Sequence, residues 1–245
     1  MSALRALLAG IFFLAYAVGS VVVGFLLFPV LFVCGRRRET PRRLRAVVRA
    51  SYRLFVWAGR VTRLFRVEIS AADRERLSAV RGAVVVANHL TLIDIVVLLA
   101  VLPEATAVAK AAAARNPFYA RVVKSVFLVN DDPEGVLKEA AHLLAAGVNL
   151  VVFPEGTRTP AETLRRKLHR GAAQIALAAG ADLVPIRLGC TPPVLGKGQP
   201  WHEVGDRTVV YTLAVGETIA PPVAAESRHA AAVRLTEEIG ARLFA

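Results

Sequence analysis

His89 and Asp94, in the run Asn88-His89-Leu90-Thr91-Leu92-Ile93-Asp94, are the residues whose types could most directly do chemistry together. Imidazole exchanges a proton near neutral pH. A carboxylate on one ring nitrogen fixes the tautomer and leaves the other nitrogen to take a proton from a hydroxyl. Such a pair is the base and orienter of a triad whose nucleophile is the substrate itself. The separation of five is informative, because on a regular helix it is about 140° of rotation and the two side chains diverge. They meet only across a turn. Residues 83–87 (AVVVA) read as a strand and a helix starts near Thr91, which leaves a turn between them. Thr91 and Asp94 also fit a variant helix-capping box, and His89 also fits an ordinary loop histidine at a strand end.

A second cluster, Phe153-Pro154-Glu155-Gly156-Thr157-Arg158, follows the apolar run 149–153 (NLVVF). Gly156 allows a tight turn and close approach of a ligand. Arg158 offers a planar fork suited to phosphate, Thr157 a hydroxyl, and Glu155 an acceptor for a substrate hydroxyl at the carboxyl end of a strand. The same residues also describe a plain turn, with Arg158 paired to Glu162. A third feature is Val184-Pro185-Ile186. Proline inside a strand marks an edge, a bulge or a cavity wall.

The elements that must position these groups alternate. Short apolar runs predict strands at 66–70, 83–87, 105–109, 126–130, 149–153, 183–188 and 208–214. Helical patterns fall at 94–102, 115–123, 133–146, 163–179 and 226–243, and the Pro- and Gly-rich stretch 190–206 reads as a loop. This alternation predicts an α/β fold: a mixed, largely parallel sheet of about seven strands flanked by helices.

The first quarter of the chain differs. Residues 6–35 carry no charged side chain, while 36–66 hold eleven arginines and one acid, Glu39, so that segment supplies +10 of the +12 net charge. An apolar run followed by arginines predicts a membrane anchor with the catalytic part on the cytoplasmic face of the inner membrane. Thirty helical residues span roughly 45 Å against about 30 Å of hydrocarbon, which admits one tilted helix or a re-entrant hairpin bent near Gly19–Gly24 or at Pro29. A cleaved leader ending near Ala15-Tyr16-Ala17 is the alternative. Residues 42–66 read as a basic amphipathic helix lying on an anionic leaflet. The expected domains are therefore 1–66, the anchor, and 67–245, the catalytic domain. Spacing implies no metal or redox cofactor: His142, His169, His202 and His229 are scattered, and Cys34 and Cys190 form no paired motif. The arginine run alone would also suit a nucleic-acid binder, a reading that leaves residues 6–35 unexplained.

N-H-L-T-L-I-D, then F-P-E-G-T-R, then V-P-I resemble the 1-acylglycerol-3-phosphate acyltransferase family, over roughly residues 66–220. The resemblance implies transfer of a fatty acyl group from acyl-CoA or acyl carrier protein to a lysophospholipid hydroxyl. In that family pattern His89 is the general base and Asp94 its orienter. Glu155, Gly156, Thr157 and Arg158 hold the acceptor's polar head, with Lys110 at a matching basic position, and Val184, Pro185 and Ile186 line acyl-chain space. One departure is clear: the family usually has an arginine where this chain has Asn130, followed here by Asp131 and Asp132. That keeps two alternatives open, an ornithine-type or aryl polyene lipid acceptor, and a non-catalytic lipid-binding protein on the same fold.

Overall fold

The computed structural model describes residues 3–34, 39–115, 120–163, 166–200, 203, 205–222 and 227–244. Arg36, Arg37, Arg38, His202 and positions 116–119 of the helix expected at 115–123 lie outside them.

Every sheet strand that the sequence predicts is present within a few residues: β1 Phe65–Ile69, β2 Val84–Ala87, β3 Ala105–Lys110, β4 Leu128–Asn130, β5 Asn149–Val152, β6 Leu183–Thr191 and β7 Val209–Val215. They form one sheet in the order β1-β7-β6-β2-β5-β3-β4. All neighbouring pairs are parallel except β6 with β7. β2 lies at the centre, and its four residues are fully buried. Val84 and Val86 face one side, against α7 (Pro133–Ala145), α8 (Gly171–Ala179) and α9 (Arg228–Phe244). Val85 and Ala87 face the other, against α4 (Ala71–Ala79) and α5 (Asp94–Val101). A strand buried on both faces needs apolar residues at every position, which is why 83–87 shows no alternation.

Two helices depart from expectation. The helix expected at 163–179 begins only at Gly171, because Arg166 turns back and donates to the carbonyls of Pro160 and Ala161. α4 was not expected at all. It buries only Leu77, so its apolar periodicity is faint. Its start is nevertheless marked, since the Ser70 hydroxyl accepts from the Asp73 N–H.

The N-terminal segment is one long apolar helix, Leu4–Val33, long enough to cross a membrane. Its parts are α1 (Ala3–Val22), a π-helical turn (Val23–Leu27) and α2 (Phe28–Cys34). The turn holds Gly24, where the sequence suggested a bend; a Cβ there would meet Val122 at 3.4 Å. α3 (Thr40–Val61) runs back along this helix. Phe12 packs on Phe55 with tilted rings 4.6 Å apart, Tyr16 lies 6.3 Å from Tyr52, and Phe28 packs with Leu44 and Val48. The outer face of the long helix stays apolar and exposed through Leu4, Leu7, Ile11, Leu14, Val18 and Val22.

A boundary between residues 66 and 67 falls inside β1. One core cluster joins Ala9 and Phe55 to Phe65, Ile93, Val209 and Tyr211, so anchor and sheet share buried surface.

Candidate active site

The chain leaves β2 at Ala87, turns through residues 88–93, and enters α5 at Asp94. Asn88 fixes the start of that turn: its side chain donates to the Leu188 carbonyl at 2.9 Å and accepts from the Leu188 N–H at 2.6 Å, both on β6. The turn brings His89 back onto Asp94, with Nδ1 and Oδ2 2.9 Å apart. The same Oδ2 accepts from the N–H of Leu90 at 2.6 Å and of Thr91 at 2.7 Å, and the Thr91 hydroxyl donates to Oδ1. Asp94 is fully buried, at the N-terminus of α5, so backbone donors and the helix dipole both favour its charge. A carboxylate only accepts, so His89 carries its proton on Nδ1 and presents the lone pair of Nε2. The His89 ring is 21% exposed and lies parallel to Phe153 at 4.2 Å.

Behind the carboxylate the wall is neutral. Burial raises the Cys190 thiol above its ordinary pKa, and the nearby Asp94 charge adds to the effect. Burial likewise pushes the phenol of Tyr211 far up. Cys190 and Tyr211 face each other across β6 and β7.

The second motif is tied directly to the first. Glu155 Oε1 accepts from the His89 N–H at 2.8 Å, and its Oε2 pairs with Arg166 Nη1 at 2.8 Å. The two side chains are 1% and 8% exposed. Glu155, expected at the acceptor's head, is thus buried with one protein partner on each oxygen. In this structure it anchors the backbone of His89. Arg166 is the functional residue the sequence reading missed. The only signal was an arginine and lysine run eleven residues beyond Glu155, inside what read as a helix.

Gly156 sits at φ +62°, in the left-handed region, and its N–H donates to the Phe153 carbonyl at 3.0 Å. A Cβ there would meet the His169 ring at 3.0 Å. Thr157 is exposed. Arg158 spends Nη1 on the carbonyls of Leu195 and Gly196, at 2.9 and 2.8 Å. The Leu195 carbonyl also accepts from the Leu92 N–H at 3.0 Å, and the Thr159 N–H donates to the His89 carbonyl at 2.7 Å. The two motifs and the 195–196 loop thus close into one unit.

Lys110 ends β3 and stands opposite Asn130, which ends β4. Both lie at the carboxyl edge of the sheet, as His89 does. They are further out: β3 is two strands from β2 and β4 three, so about 10 and 14 Å to the side. Asp132 caps α7, accepting from the Glu134 N–H. Val184 and Ile186 are buried in the core against α5, and the Pro185 carbonyl accepts from the Gly216 N–H at 2.8 Å, just where pairing with β7 stops. The large apolar groove, about 400 Å³, lies elsewhere, between α1, α3 and α6 (Ala120–Val126), lined by Phe12, Tyr16, Tyr52, Phe55, Val123 and Phe127.

A family model described as Acyltransferase matches residues 68–189, the span that carries both motifs. The chain belongs to the acyltransferase family. This acyltransferase is 25% identical over 233 residues to the 1-acyl-sn-glycerol-3-phosphate acyltransferase of Pseudomonas aeruginosa, across 92% of this chain and 84% of that protein. Its fold resembles the crystal structure of the 1-acyl-sn-glycerophosphate (LPA) acyltransferase from Thermotoga maritima, with a TM-score of 0.62 and 24% identity over 99% of this chain and 100% of that one.

Proposed function

We propose that this acyltransferase moves a fatty acyl group from a thioester, acyl-CoA or acyl carrier protein, to the free hydroxyl of 1-acylglycerol-3-phosphate. The observation that carries the reading is the His89–Asp94 contact, with the imidazole stacked on Phe153 at the carboxyl edge of the sheet. Nε2 of His89 takes the hydroxyl proton as the acceptor oxygen attacks the thioester carbonyl. Asp94 steadies the imidazolium that forms. Collapse of the tetrahedral intermediate breaks the carbon–sulfur bond, and the thiolate leaves with the proton returned by His89. The cycle consumes no cofactor.

Gly156, Thr157 and Arg158 form the acceptor side. Nη2 and Nε of Arg158 are directed to the phosphate once Nη1 is spent on the 195–196 loop, and Lys110 adds charge from the side. Val184, Pro185 and Ile186 shape the buried wall under α5. The groove between α1 and α3 has a volume within the ordinary range of ligand sites, roughly 300–1,000 Å³, and an apolar lining suited to an acyl chain.

The exposed apolar face of the long helix supports membrane attachment, and the arginines that follow the apolar run favour the cytoplasmic face of the inner membrane. α3 pairs with that helix along its length and carries Arg42, Arg43, Arg45, Arg49, Arg53 and Arg60. An arginine at the centre of a bilayer costs about 2.5–3.5 kcal/mol or more. That cost favours a helix pair lying along one leaflet over a crossing.

A second acceptor class is favoured by Asn130 and Asp131, both exposed where the family usually has an arginine. An acceptor without a phosphomonoester, such as an ornithine-type or aryl polyene lipid, would suit that edge. Lipid product analysis decides. Purified protein and His89→Ala are offered several lysolipids and hydroxylated lipids, with both donor types in parallel. Acylated lysophosphatidate from wild type alone supports the first reading. Product only from an acceptor without a phosphomonoester supports the second. Equal product from His89→Ala overturns the mechanism.

A further inference from the structure

Arg45, Arg49 and Arg53 recur at intervals of four on α3, each on the same side of the helix. With Glu104 and Ala105 at the start of β3 they line a cleft of about 360 Å³, whose floor is lowered by Ala46 and Ala50. Among the described residues Glu104 supplies the sole carboxylate of the lining, 3.6 Å from Arg45 and 3.5 Å from Arg42 at the rim. Four guanidinium groups therefore face one acid.

The Nε atoms of Arg45 and Arg49 are buried and have no hydrogen-bond partner among the described residues. A buried donor without an acceptor is costly, more so when it is charged. Like charges held side by side add to that cost. An anion in the cleft removes both. Successive arginines are about 6 Å apart along the helix axis and the outer two about 12 Å. That spacing suits an extended anion, and the planar guanidinium fork suits phosphate. Glu104 lies beyond the far end of α5 from Asp94, so the length of that helix, about 12 Å, separates the cleft from His89.

We propose that the Arg45–Arg49–Arg53 cleft is a binding site for a phosphate-bearing group, preferably two linked phosphates, distinct from the His89 centre. Two sources carry that chemistry: the headgroup of an anionic lipid beside the helix pair, and a soluble diphosphate ester. The site is independent of the acyl-transfer reading, and the test reads binding and not turnover.

The test uses full-length protein in neutral detergent and on vesicles. Inorganic diphosphate is titrated while the thermal midpoint and equilibrium binding are followed. Vesicles of phosphatidylcholine, with and without phosphatidylglycerol, are compared at fixed salt. The variants are Arg49→Gln, Arg45→Gln/Arg53→Gln and Arg49→Lys, with the exposed Arg74→Gln on α4 as control. Diphosphate should bind wild type saturably and raise its midpoint. Arg49→Gln should bind about tenfold more weakly, Arg49→Lys should recover part of the loss, and Arg74→Gln should match wild type. Diphosphate that displaces phosphatidylglycerol vesicles identifies a lipid headgroup. Diphosphate binding with vesicle affinity equal in all variants identifies a soluble ligand. No saturable binding to wild type, or an equal loss in Arg74→Gln, overturns the proposal.

Discussion

Replacing Asp94 by asparagine separates what its charge does from what its shape does. The carboxylate accepts from three N–H groups through Oδ2 and from one hydroxyl through Oδ1. An asparagine can keep this pattern: its carbonyl faces the three N–H groups, and its amide donates to a Thr91 hydroxyl that reverses its role. Charge-assisted bonds are roughly twice as strong as neutral ones, so about 1 kcal/mol is lost on each of three. Against that, a charge no longer has to be buried at a site with no solvent exposure. The two effects oppose, and the net change in stability is expected to stay within about 2 kcal/mol. Catalysis has no such compensation, because the imidazolium formed on proton transfer loses its counter-charge. We expect a rate loss of about 10²–10⁴, or about 3–5 kcal/mol of barrier. Asp94→Ala should behave differently. It leaves the buried Thr91 N–H and the partly buried Leu90 and His89 donors without their acceptor, at about 1–3 kcal/mol for each one that water cannot reach, and stability falls together with rate. The assay pairs thiol release from an acyl-CoA with thermal unfolding in the same detergent. Near-wild-type turnover by Asp94→Asn would refute the reasoning, as would equal loss of midpoint in the asparagine and alanine variants.

Three further outcomes follow from the same geometry. Arg166→Met leaves the Glu155 carboxylate buried without its partner and should cost about 3–5 kcal/mol in denaturant unfolding, partly recovered by adding Glu155→Gln. Gly156→Ala places a side chain at φ +62° and against His169; about 1–2 kcal/mol of stability should be lost, and KM for the acceptor should rise more than kcat falls. Burial pushes the Tyr52 phenol up to about 12, so the folded chain keeps it neutral while the unfolded chain ionises it near 10; stability should fall as pH climbs from about 10 to about 12, and Tyr52→Phe should flatten that slope.

The sheet was legible because buried parallel strands are written as plain apolar runs. β2 and β5 are four buried residues each, and short Val-rich segments of that kind have few other uses. The His89–Asp94 pairing was legible because a separation of five excludes a helix between them. What could not be read was the destination of long polar side chains. Arg166 and Glu155 are eleven apart with no periodicity linking them, and only the folded loop shows them paired. Glu155 has the residue type of a ligand group and the environment of a structural one; burial is not encoded in a six-residue motif. The same holds for Val184 and Ile186, which are core residues whatever the proline between them suggests. The expected boundary between residues 66 and 67 falls inside β1 for a related reason. A change in composition at residue 66 marks where arginines stop, and the strand that pairs with β7 begins one residue earlier.

β1 pairs only with β7, and its residues 65–69 find their partners at 209–213. Arg5 reaches farther still, to the carbonyl of Arg207 at 2.6 Å. In the order of synthesis, the first strand therefore waits for the last. The intervening stretch is about 140 residues, and at roughly 5–20 residues per second the ribosome needs on the order of ten to thirty seconds to make it. Through that interval β1 has no strand to pair with, while the central strands can already assemble and the helix pair can pack on α5 and α6. Closure of so distant a contact is a late and slow event. The long apolar helix is made well before β7 and keeps an exposed apolar face even in the finished fold, so a nascent chain needs a lipid surface or a holding chaperone well before it has an active site.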